Sequence, residues 1–193
     1  MARPRKFDVD EALDRAVDVF WEHGYEGSTL GVLTAAMGIN PPSLYAAFGS
    51  KQGLFERALQ RYRESDQAGK QASLNEPDVR SVVSEYLHRT VSSVTNPEHP
   101  AGCLVVEGAL KCGDEAAPAA AMTAAHRKAG LLALRERLER AEREGERLPM
   151  TPELLALYVT TIGDGLAIRG TDATPADQLH IVVTTAVDTL FAQ

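Results

Sequence analysis

The sequence predicts an all-α protein: an N-terminal three-helix head containing a helix-turn-helix, joined to a larger helical domain. Three observations lead there. Apolar residues recur with the 3.6-residue period of amphipathic helices along most of the chain. Helix-starting residues (Asp, Ser, Thr, Asn, Pro) and helix-stopping glycines bracket those periodic runs. At the N-terminus three runs follow one another across tight Gly-containing turns, as a helix-turn-helix requires.

Residues 8–23 form the first helix. Val9, Leu13, Ala16, Val17, Phe20 and Trp21 make its apolar face, Asp8 and Glu11 resemble a capping box, and Gly24 ends it. Ser28-Thr29 caps a short second helix ending at Gly38, with Leu30, Leu33, Ala36 and Met37 inside. After the turn, Asn40 caps a third helix with Pro41 at its tolerated first position, and Gly49 closes it. Ser50 caps a fourth, running from Lys51 to about Ala68. Further helices are expected over 78–95, 101–112, Pro118 to Gly145, Pro152 to Ile168 and Pro175 to Ala192. The β-branched run Ile181–Thr185 has strand propensity, but Ile181, Val187, Leu190 and Phe191 keep the helical spacing.

Composition narrows the function. The 193 residues are 44% hydrophobic and 24% charged, ordinary for a globular protein. The net charge is −7, yet residues 1–63 hold eight Lys/Arg against eight Asp/Glu, so the acidity lies in 64–193. Arg3, Arg5 and Lys6 precede any acid, a basic arm that suits local phosphate binding rather than non-specific coating of nucleic acid. No apolar run approaches the roughly 18–20 residues that span a bilayer, and the N-terminus lacks the apolar core of a signal peptide. The cytoplasm is the expected location, with no membrane partner. Cys103 and Cys112 lack the CxxC spacing of a zinc or redox site, and the five histidines show no ligand spacing, so neither metal nor cofactor is expected. GxSxG, P-loop, HExxH and Rossmann signatures are absent, which argues against catalysis.

Residues 25–55 read YEGSTLGVLTAAMGINPPSLYAAFGSKQGLF. The stretch resembles the TetR family of repressors, whose pattern falls on Thr29, Ala36, Gly38, Ile39, Ser43, Leu44, Tyr45, Phe48 and Lys51, preceded by Phe20 and Gly24-Tyr25. The resemblance covers about a third of the chain. It implies a homodimer that binds a palindromic double-stranded operator and is released by a small-molecule effector. Residues 1–50 would form the DNA-binding domain, with the arm 1–6, and residues 51–193 the effector-binding and dimerisation domain.

The resemblance makes Thr29, Tyr45 and Lys51 phosphate contacts and turns Pro41, Pro42, Ser43, Ala46 and Ala47 towards base edges. Hydroxyls and a cation at the start of a helix are suited to those roles. Leu44 and Phe48 would hold the recognition helix against the first helix. Many family members carry a larger side chain where Ala46 and Ala47 stand, and methyl groups offer thymine contacts but no bidentate hydrogen bonds. Specificity then leans on Asn40, Ser43, Arg3, Arg5 and DNA shape. The last two helices are the expected dimer surface, through Leu154, Leu157, Tyr158, Ile162 and Leu166 on one and Val183, Val187, Leu190 and Phe191 on the other, although packing within one subunit would give the same stripes. Tyr62, Leu87, Val91, Leu104, Glu107, Met122, His126, Tyr158 and Asp164 are candidates for an effector pocket.

Two other readings compete. Cys103 at the start of a helix over 101–112 would have a lowered thiol pKa, making the chain an oxidant- or electrophile-sensing repressor. Alternatively the chain is a helical interaction module that binds no DNA.

Overall fold

The computed structural model describes residues 7–110 and 112–192, with side chains 65–70 outside the description. The arm residues Arg3, Arg5 and Lys6 therefore lie outside the described residues. The fold is helical, with no strand among the described residues. The helices are α1 (Val9–Gly27), α2 (Leu30–Met37), α3 (Pro41–Phe48), α4 (Lys51–Ser73), α5 (Val79–Val94), α6 (Leu104–Glu107), α7 (Ala117–Arg143), α8 (Pro152–Thr171) and α9 (Ala176–Leu190).

The head forms where its caps place it. Asp8 accepts from the Asp10 and Glu11 amides at 2.9 and 3.2 Å, starting α1. Gly24 interrupts α1 with φ +66° and ψ 176°. That twist turns the Tyr25 N–H onto the Gly108 carbonyl at 2.7 Å, tying the head to the chain after α6. A Cβ at Gly24 would stand 3.3 Å from the same carbonyl oxygen, so the site requires glycine by conformation and has little room besides. Thr29 Oγ1 caps α2 through the Val32 amide, Asn40 Oδ1 caps α3 through the Ser43 amide, and Ser50 Oγ caps α4 through the Gly53 amide. Phe20, Tyr25 and Phe55 stack edge-on and face-on at 4.9–6.2 Å between centroids, and Leu33, Leu44, Leu54 and Leu59 close the core around them.

A second cluster joins α5, α7, α8 and α9 through Val79, Val83, Leu87, Leu134, Leu138, Leu155, Val159 and Val183. The link from α4 to α5 is fixed by a buried arginine. Arg137 Nε donates to Leu74 O at 2.9 Å and Nη2 to Glu76 O at 2.8 Å. Glu146 accepts the Val79 amide at the start of α5. The Asp78 carboxylate lies below its usual pKa, held down by hydrogen bonds from the backbone and side chain of Ser81. The head cluster also includes Val94, Cys103, Leu104, Val106, Ala109, Ala119 and Ala167, so its core extends into the larger part of the chain.

Four expected helices differ: α1 continues past Gly24 to Gly27 and α8 past Ile168 to Thr171. α4 continues to Ser73, beyond Ala68. The run 101–112 is helical only over Leu104–Glu107. Gly102 takes φ +85°, and the Gly108 carbonyl is given to Tyr25, so neither end sustains a helical ladder.

Candidate nucleic-acid interface and ligand cavity

α2 and α3 carry no charged side chain; none occurs between Glu26 and Lys51. This stretch thus opposes no carboxylate to a phosphate backbone, and attraction comes from hydroxyls, helix N-termini and the flanking cation. α3 buries Leu44 and Phe48 and exposes Pro41, Pro42, Tyr45 and Ala46, with Ser43 half-buried. Tyr45, at 47% exposure, is conspicuous for an aromatic. Thr29 is also exposed at the mouth of α2.

Three expected contact residues have surroundings that the sequence does not display. Ala47 is partly buried and packs against the head core. Asn40 is exposed, and its Oδ1 is occupied by the Ser43 amide at 2.9 Å. Lys51 is half-buried rather than free, its Nζ 4.5 Å from the Tyr25 ring centroid. Burial lowers its pKa, with Glu26 opposing. Tyr25, a motif position by sequence, thus also seats this lysine. Exposed Val32 on α2 was also missed.

A cavity of about 430 Å3 opens between α4, the α6 segment, α7 and α8. Tyr62, His126 and Asp164 line it, together with Cys103, Val106 and Leu157. Tyr62 Oη donates to Cys103 Sγ at 3.3 Å. His126 Nδ1 is buried and has no hydrogen-bond partner among the described residues. Burial, then Arg63, pushes the His126 pKa down. The other candidates lie elsewhere. Leu87 and Val91 are closed within the second core and Leu104 within the first, where Met122 also packs. Tyr158 faces outward at 40% exposure. Glu107 lines a separate groove with Trp21, Pro100 and Thr171, and burial raises its pKa. These residues share a helical period with pocket positions, which periodicity alone does not separate. Cys103 is 4% exposed before a four-residue helix, not at the open start of a longer one. Among the described residues no group of three His, Cys, Asp or Glu is placed to hold a metal.

The expected dimer stripe divides in two. Leu166, Val183 and Val187 are buried inside the chain's own core, with Ile162, Leu190 and Phe191 packed against it. Leu154 and Leu157 are exposed at 53% and 52%. Beside them on α8 lie Tyr158 and Ile168, and α9 adds Ile181 at 65% and Val182. The last three apolar residues were absent from the expected interface. α8 is apolar on two faces, and only one is covered within the chain. Among the described residues no helix is long and apolar enough to cross a membrane.

The family profile described as "Bacterial regulatory proteins, tetR family" matches residues 12–58. The chain is 41% identical over 106 residues to the HTH-type transcriptional repressor ComR of Escherichia coli K12, covering 54% of this chain and 50% of ComR. It is 38% identical over 108 residues to the repressor BdcR of the same organism, covering 55% and 54%. These alignments span about half the length of those relatives. Along nearly its whole length, the chain superposes on a cysteine-substituted form of the TetR family transcriptional regulator CifR complexed with 26 bp double-strand operator DNA. The TM-score is 0.91 with 42% identity, covering 96% of this chain and 98% of CifR.

Proposed function

The chain belongs to the TetR family of transcriptional regulators, and on that premise we propose that it is a homodimeric repressor released from a palindromic operator by a small molecule. The observation that carries this reading is its end-to-end likeness to a regulator complexed with operator DNA. Residues 1–50 form the DNA-binding unit and 51–193 the effector and dimer unit. Thr29, Tyr45 and Lys51 take phosphates, while Pro41, Pro42, Ser43, Ala46 and the Asn40 amide face base edges. Arg3, Arg5 and Lys6 reach into the neighbouring minor groove. The outer face of α8 and α9 joins the two protomers and sets the half-site spacing of about 34–36 Å.

Release follows from which walls the cavity shares. Tyr62 lies on α4, the helix that begins at Lys51 beside the recognition helix. Val106 lies two residues before Gly108, whose carbonyl holds the head through Tyr25. Leu157 and Thr161 belong both to the cavity and to the exposed face of α8. A molecule that favours one arrangement of these walls shifts the spacing only by its differential affinity. The reading is tested by selecting from a random-sequence duplex library with the purified chain at moderate salt. Enrichment of a palindrome with half-sites about one helical turn apart is expected; a pool no different from the input contradicts the proposal.

A further inference from the structure

The cavity carries charge of the opposite sign to the chain around it. The whole chain is −7, yet among the described residues the lining includes Arg63, Arg127 and Lys128 against one carboxylate, Asp164. Arg127 is held in place, its Nη1 donating to Val105 O at 2.7 Å across the wall. Beside these cations His126 offers a buried Nδ1 without a hydrogen-bond partner among the described residues. Val105, Val106 and Leu131 supply an apolar lining. We propose that the effector is an organic anion, a carboxylic acid with an apolar body, its carboxylate held by Arg63 and Arg127 and its body lying on Val105, Val106 and Leu131.

The inference rests on the effector reading above and specifies its chemistry. Guanidinium groups bind carboxylates by charge-assisted, often paired hydrogen bonds, which strengthen where water is excluded. Among the described residues, a cationic ligand would meet three like charges and one acid. The His126 imidazole is pushed towards its neutral form by burial and by Arg63, and a carboxylate arriving there offsets the Arg63 effect. The volume of about 430 Å3 lies within the range of small-molecule sites.

Octanoate, octan-1-ol and octylamine share one apolar chain and differ in the charge of the head. Titration calorimetry with the full chain is expected to rank octanoate at least about tenfold tighter than octanol, with octylamine weakest. Arg63→Gln and Arg127→Gln should each bring octanoate close to octanol and leave octanol unchanged, while Arg63→Lys keeps part of the preference. Equal binding of octanoate and octanol, tightest binding of octylamine, or no binding of any of the three overturns the proposal. Operator binding measured without ligand separates the two ideas. A chain that selects octanoate but binds no operator overturns the repressor reading alone; one that binds an operator without preferring octanoate overturns this inference alone.

Discussion

Asn40 has two tasks in the turn before α3. Its Oδ1 caps the helix through the Ser43 amide, and in the proposed function its NH2 faces DNA. Asn40→Ala should lose about 1 kcal/mol of stability with the cap. Asn40→Asp keeps an acceptor for the same amide but places a negative charge towards DNA. Its thermal unfolding should therefore match the parent while operator affinity, read by fluorescence anisotropy, falls at least about tenfold. Lys51→Ala should weaken binding to all sequences alike and reduce the slope of log affinity against log salt by about 1. Ser43→Ala should instead change the order of preferred sequences. His88 supplies a pH dependence, its Nδ1 lying 2.8 Å from that of His180. Burial, then His180, lowers the His88 pKa, with Glu85 opposing. The unfolded chain thus binds more protons, and this contribution to stability is lost as pH falls below about 6.5 towards the folded value. The raised pKa values of Glu107 and Asp18 act in the opposite direction. The melting temperature should drop more for the parent than for His180→Gln between pH 7.5 and 5.5; parallel curves would contradict this account.

At the scale of elements, legibility followed the caps. α1 to α4 start at Asp8, Thr29, Asn40 and Ser50 as their side chains dictate, because capping is local chemistry that sequence displays. The segment 101–112 was misread because its outcome depends on a distant partner, the Tyr25 amide that takes the Gly108 carbonyl. The elbow between α3 and α4 is similarly steric: a Cβ at Gly53 would come within 2.4 Å of Phe48 O. Gly53→Ala should therefore displace α3 from α4 and weaken operator binding, despite alanine's better helix propensity. α8 shows how two apolar faces on one helix hide each other from a periodicity argument. Leu155 is fully buried while its neighbour Leu154 is 53% exposed. Leu155→Ala should cost about 2–5 kcal/mol of stability by chemical denaturation. Leu154→Ala should leave the fold intact and act on self-association.

For the whole molecule, the head could be read closely because its motif concentrates function in 31 consecutive residues, 25–55. The cavity and the outer face could not, since each is assembled from separate helices. His126 and Asp164, polar residues within apolar runs, do line the cavity, whereas Glu107, singled out on the same ground, lines a separate groove. Arg63 and Arg127 escaped notice because their sequence neighbourhood gives no sign that both reach one cavity. Likewise Ile181 and Val182 stand beside buried Val183, and only packing shows which of the three faces outward. Ile181→Glu should convert the dimer to monomer by analytical ultracentrifugation and remove cooperative operator binding. On the proposed function, two protomers read one palindrome electrostatically and together. The most direct test is anisotropy titration of the selected duplex and of a single half-site, each between 50 and 200 mM salt (about the range over which phosphate contacts are exposed). An even number of protomers on the palindrome, much weaker binding to the half-site, and affinity falling steeply with salt are expected. One protomer per duplex, equal affinity for both DNAs, or indifference to salt would contradict it.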